Sequence, residues 1–137
     1  WIGQIVWGTV SDNFGRKFSL KIITIGFFLA ILACIFINSE MTGWIILICW
    51  GLFRNSPYPV TYAVLLDSLP KGASSALGLM VGLGWFVSAL SGPVEGFIIQ
   101  SYGFTAHYIF LAVLTILTFF MVTKIKETVV KKETIVK

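Results

Sequence analysis

The sequence predicts an all-α integral membrane protein, an antiparallel bundle of transmembrane helices. Three observations predict it. Residues of the AVILMFWYC set make up 57% of the 137 residues and charged residues only 12%, about half the roughly 25% usual in a water-soluble domain. Mean hydropathy is +0.91. The apolar residues are gathered into runs that meet the about 20 residues a helix needs to cross a hydrocarbon core, with short polar strings between them.

Taken in order, Trp1–Val10 reads as the end of a span whose start is missing. Full spans are expected near Phe18–Asn38, Gly43–Leu66, Ser75–Ile99 and Thr105–Thr123. The connections are SDNFGRK, SEMTG, DSLPKGA and QSYGF. Helices joined this tightly must run antiparallel. Residues 124–137, KIKETVVKKETIVK, form a charged tail, expected to be a helical extension that frays at the surface.

The positions of the bases orient the chain. Arg16 and Lys17 lie in the first connection with Lys21 close behind, Lys71 lies in the third, and Lys124, Lys126, Lys131, Lys132 and Lys137 lie in the tail. The second and fourth connections have none. Nine of the ten bases therefore fall on one side of the membrane, which the positive-inside rule makes the cytoplasmic side. The tenth, Arg54, lies within a span.

Several function classes are excluded. The net charge of +4 does not point to nucleic acid, because the bases sit between hydrophobic spans and not on one soluble face. There is one histidine and no CxxC, so no metal site and no cofactor is expected. Cys34 and Cys49 read as buried packing residues. There is no GxxxxGK[ST] string, so nothing suggests ATP hydrolysis. The spans lack the cluster of acids or histidines that a membrane-embedded enzyme would need. No basic n-region with a cleavage site opens the chain.

The most specific string is Gly8-Thr9-Val10-Ser11-Asp12-Asn13-Phe14-Gly15-Arg16-Lys17. Gly8 is expected to end a helix and to permit close packing. Asp12 is expected to accept hydrogen bonds from free N–H groups at a helix start. Gly15 allows the tight turn of a short link. Arg16 and Lys17 set orientation and can pair with Asp12 or lipid phosphates.

The spacing G-x-x-x-D-x-x-G-R-K resembles the signature loop of the major facilitator superfamily, which joins the second and third helix of each six-helix half. Asn13 stands where the family usually has a base. The resemblance implies a conformational latch, in which the loop contacts a helix end of the other half. That role carries over to Gly8, Asp12, Gly15 and Arg16, with Lys17 completing the motif. The strings Ser91-Gly92-Pro93-Val94-Glu95-Gly96 and Tyr102-Gly103-Phe104 resemble the eleventh-to-twelfth helix region, and Lys126-Glu127-Thr128 the common family ending. These imply helices eight (partial) to twelve, part of the C-terminal half of a twelve-helix transporter. The partners implied are the lipid bilayer, the N-terminal half and a small-molecule substrate.

Arg54 is the leading candidate for transport. An arginine at the centre of a span costs about 2.5–3.5 kcal/mol on insertion scales, which marks it as functional. Trp50, Arg54, Tyr58 and Tyr62 recur every four residues and are expected on one rotating face, with cation–π contact to the guanidinium. Asn55 and Ser56 add hydrogen-bonding capacity. Pro57 and Pro59 must disturb the helix, since each removes a backbone donor. Tyr58-Pro59 followed by Asp67 and Pro70 is loosely similar to the tenth-helix region of sugar and metabolite porters. Glu95, sharing a face with Ser88, Ser91 and Gly92, is the proton-coupling candidate, with a wet mouth residue as the alternative. Asp67 reads as a surface cap or gate. Gly78-x-x-x-Gly82 and Gly92-x-x-x-Gly96 are expected to pack helices closely. Trp44 and Tyr108 fit interfacial belts, and His107 reads as a polar surface residue.

The expected function is alternating-access transport of a small polar solute, driven by a proton or solute gradient, in the plasma or cytoplasmic membrane. Arg54 favours an anionic solute. The alternative is a small, non-transporting polytopic scaffold or assembly protein.

Overall fold

The computed structural model describes residues 1–69 and 71–128, and every regular element among them is a helix. Pro70 and the tail lysines Lys131, Lys132 and Lys137 lie outside the described residues. The helices are α1 (Ile2–Phe14), α2 (Arg16–Cys34), α3 (Glu40–Arg54), α4 (Pro57–Ser68) and α5 (Ala73–Lys124).

Two helices, α2 and α5, are long and apolar enough to cross a membrane, with mean hydropathies of 1.9 and 2.0. A straight α5 would be far longer than a bilayer core of about 30 Å. It is broken at Gly103, whose φ of 82° and ψ of 174° are not helical. That backbone strains any residue with a Cβ. The break yields two arms, 73–102 and 104–124, each long enough to span.

The second arm runs back along α2. Val122 clusters with Leu20 and Ile23, Thr115 and Phe119 lie beside Thr24 and Phe28, and Tyr108 lies across a cavity from Cys34. One end of the molecule therefore gathers Arg16, Asp67 and Glu127 and is termed the basic end. The other gathers Cys34, Gly43 and Phe104. Helix α2 touches all four other helices. Ile23 and Ile31 on it are fully buried, as is Val60 of α4.

The stretch 43–66 is not one helix. It ends as α3 at Arg54 and restarts as α4 at Pro57. Two prolines remove two amide donors here, and the carbonyl four residues before each loses its helical partner. For Pro59 that carbonyl belongs to Asn55. It accepts instead from the Gln4 side-chain amide at 3.3 Å and from the Tyr58 N–H at 3.4 Å. Ser56, fully buried, turns its hydroxyl back to the Leu52 carbonyl. Side chains from α1 and from the turn itself thus repair part of the broken ladder, as hydrocarbon requires. At its other end α3 is closed by a capping box: Thr42 N–H donates to Ser39 Oγ at 3.3 Å, and Ser39 N–H to Thr42 Oγ1 at 3.1 Å.

Close helix approach occurs at glycines other than those expected. A Cβ on Gly3 would strike the Leu52 carbonyl, and one on Gly26 would strike the Phe53 ring. Around Gly8, Gly78, Gly82, Gly92 and Gly96 a Cβ would meet nothing within 4 Å among the described residues. Gly8 does not end its helix, because α1 continues to Phe14. Cys49 is exposed and Cys34 only half-buried, so Cys49 is not a core residue of this chain. The outer surface is apolar, with Trp85 and Met121 each 74% exposed, a face suited to lipid or protein and not to water.

Gly3→Val should lower the apparent melting temperature in detergent, by an amount equivalent to the about 1–3 kcal/mol of overpacking, because a backbone carbonyl cannot swing aside. Gly51→Ala, where a Cβ meets nothing within 4 Å, should not lower it. Equal melting of wild type and Gly3→Val would remove the close α1–α3 crossing.

Candidate functional site

At the basic end, four segments meet around one guanidinium. Helix α1 carries Asp12 in its last turn, so the Asp12 carboxylate is not at a helix start and caps no N–H groups. It accepts from Arg16 Nη1 at 2.6 Å. Arg16 Nε donates to Asp67 Oδ2 of α4 at 2.9 Å, and Nη1 also reaches the buried Ser11 Oγ at 3.3 Å. Thr128 Oγ1 donates to the same Asp67 oxygen at 3.1 Å. A planar fork with several donors suits such divided pairing; a lysine ammonium does not.

The cap of α2 comes from the far end of the chain. Glu127 Oε1 accepts from the Arg16 N–H at 2.8 Å and Oε2 from the Lys17 N–H at 3.0 Å. A carboxylate on the first free amides of a helix satisfies donors that have no intrahelical partner and meets the positive end of the dipole. Gly15 makes room for it. Its φ is 107°, and a Cβ there would lie 2.8 Å from Glu127 Oε2. The glycine is needed both for its backbone and for the space it leaves. Sequence reasoning placed Gly15 correctly at a turn but gave the cap to Asp12; the Lys126-Glu127-Thr128 string was the available signal for Glu127.

The transport candidates divide between two cavities. Trp50 and Arg54 of α3 line one of about 450 Å³, with Glu95 of the first α5 arm and His107 and Tyr108 of the second. Asn55, Tyr58 and Tyr62 line another, of about 690 Å³, with Gln4, Trp85 and Ser88. The expected four-residue face fails because the helix breaks at Ser56 and the register restarts at Pro57. Tyr58 and Tyr62 still touch, with ring centroids 6.1 Å apart. Arg54 lies over the Trp50 ring, 6.0 Å from its centroid, a cation–π distance. Trp50 in turn meets Phe27 of α2 edge-on at 5.2 Å.

Glu95 is half-buried and faces the same cavity as Arg54. His107 is not a surface residue. It is only 9% exposed, and its Nδ1 has no hydrogen-bond partner among the described residues. Tyr108 lines the cavity as well, while Trp44, 65% exposed, stays on the outside. His107 looked peripheral because it follows a connection by only a few residues; the Gly103 turn carries it inward. No group of three or more His, Cys, Asp or Glu residues that could hold a metal occurs among the described residues.

A family model described as Major Facilitator Superfamily matches residues 1–136. No curated protein and no solved structure matches the chain.

Glu127→Ala should leave the Arg16 and Lys17 amides without their cap and lower stability by about 0.5–2 kcal/mol, the usual worth of a helix cap. Hydrogen exchange at these two amides should quicken, and Glu127→Gln, which keeps an acceptor oxygen, should quicken it less. Unchanged exchange in the alanine variant would show that another group caps α2.

Proposed function

The chain belongs to the major facilitator superfamily of membrane transporters, and we propose that it is the C-terminal part of a secondary transporter, helices eight (partial) to twelve of a twelve-helix bundle. The observation that carries the transport reading is Arg54 beside a cavity in an otherwise apolar helical assembly. A guanidinium placed in a span is costly unless it meets a partner or a wet path. The placement in the C-terminal half rests on the Ser91–Gly96, Tyr102–Phe104 and Lys126–Thr128 strings. The partner that completes the bundle is the N-terminal half, which would seal the exposed apolar and glycine-lined faces.

In this reading the two halves rock about a central site and expose it to each side in turn. The basic end faces the cytoplasm. Gly8, Asp12, Gly15, Arg16 and Lys17 form the latch loop. Arg16 already holds α1, α2 and α4 together there, so the loop moves as a unit with the helix ends it joins. Gly8, open in this chain, offers a side for the other half to approach. Arg54 holds an anionic group of a small polar solute. Asn55, Tyr58 and Tyr62 supply uncharged hydrogen-bonding groups from the neighbouring cavity. Glu95, half-buried on the wall of the same cavity as Arg54, exchanges the proton that couples transport to a gradient, giving symport.

Two experiments test these statements. Arg54→Gln in the intact transporter should reduce saturable uptake of its solute into liposomes at least about tenfold, the cost of leaving a substrate group unpaired. Full uptake in that variant would remove Arg54 from the site. Liposomes holding residues 1–137 alone should show no saturable uptake of any solute, because the half against which this one must rock would be missing. Saturable uptake by that chain would end the half-transporter reading.

A further inference from the structure

Three polar side chains line the cavity between α3 and α5: Arg54, which is exposed, Glu95, half-buried, and His107, buried. Arg54 makes its cation–π contact with Trp50, and among the described residues it forms no ion pair with Glu95. They stand on different helices and line one space. His107, nine-tenths buried, lines it too and carries an unpartnered Nδ1. A buried polar atom without a partner is costly to leave unsatisfied, so a site that keeps one is poised to receive a ligand atom. The rest of the lining is apolar and aromatic, including Phe27, Leu47, Ile99 and Phe104. A volume of about 450 Å³ is that of a small-molecule site.

The charges define what fits. A simple anion would meet Arg54 but face the Glu95 carboxylate. A simple cation would meet Glu95 but face the guanidinium. A neutral polyol would leave both charges unmatched. We infer that this cavity binds a small zwitterion, a carboxylate and an ammonium on an apolar body, as in an amino acid with an apolar side chain. Its carboxylate pairs with Arg54, which can engage both oxygens. Its ammonium pairs with Glu95 in the ionised form, the state reached once Glu95 has released the coupling proton. His107, its Nδ1 carrying the proton, donates to the carboxylate, and the apolar body lies against Phe27, Leu47 and Phe104. This inference rests on the transporter reading and adds its substrate class.

The test is equilibrium binding to the intact transporter in detergent, with phenylalanine as the probe. Its single-charge analogues 3-phenylpropionate, which lacks the ammonium, and phenethylamine, which lacks the carboxylate, serve as competitors. Phenylalanine should bind saturably, and each analogue should compete at least about tenfold more weakly, since a missing group leaves a site charge unpaired. Arg54→Gln should narrow the gap between phenylalanine and phenethylamine only. Glu95→Gln should narrow the gap between phenylalanine and 3-phenylpropionate only. His107→Phe, which keeps a ring and removes both nitrogens, should weaken all carboxylate-bearing probes while the protein still elutes as a single folded species. Saturable binding with no preference over the analogues, or no binding of phenylalanine at all, overturns the inference. If uptake of some other solute persists in liposomes in that case, the transporter reading survives without it. If no solute is taken up, both fall.

Discussion

The carboxylate of Glu127 on the first amides of α2 is the contact around which the basic end is arranged. Helix α2 is the central element and touches all the others. Its N-terminus has donors that the helix cannot satisfy internally, and Gly15 before it has no side chain to help. A group from elsewhere must come in. Glu127 does so, and in doing so fixes where the second α5 arm ends. Once that arm is in place, Val122 and Ile125 close over Leu20 and Ile23. Arg16, at the same point, draws in Asp12 and Asp67. Local backbone chemistry thus ties α1, α4 and the end of α5 to the start of α2.

A second constraint shapes the middle of the molecule. Two prolines in one apolar stretch leave carbonyls that hydrocarbon cannot solvate. Gln4 of α1 answers Asn55 in the break between α3 and α4, and Ser56 folds its hydroxyl back on the turn. The break lets α3 and α4 take separate registers, which creates two cavities of different character. One has charged and imidazole groups, and the other has amides, phenols and an indole. A continuous helix would have merged these residues on one wall.

Much of this was legible in the sequence. The GxxxDxxGRK spacing marked the connection whose arginine now organises the basic end. The glycine of QSYGF stands at the α5 break, and the Pro57–Pro59 pair at the α3–α4 break. These signals are local: a turn needs a particular backbone, and a proline removes its own donor wherever it sits. Other features had no local signal. Asp12 and Glu127 are both carboxylates near a glycine turn, and only the path of the chain decides which reaches the α2 amides. Gly3 and Gly26 pack closely, although the repeated Gly-x-x-x-Gly pairs were the more visible pattern, because a glycine matters only where another helix crosses it. His107 reads as peripheral until the turn at Gly103 carries it into a cavity.

By itself, the sequence determined that the chain is a membrane protein of helices, where its apolar runs end, and the family whose loop it carries. Hydropathy, helix-breaking residues and motif spacing are properties of short segments and are written within a few residues. The tertiary structure decided which groups meet: Glu127 with amides 111 and 110 positions earlier, Arg16 with Asp67, and Arg54, Glu95 and His107 around one cavity. Those partnerships depend on helix direction, rotation and the exact break points of α3 and α5. They are set by how whole helices pack, which no single stretch of residues encodes.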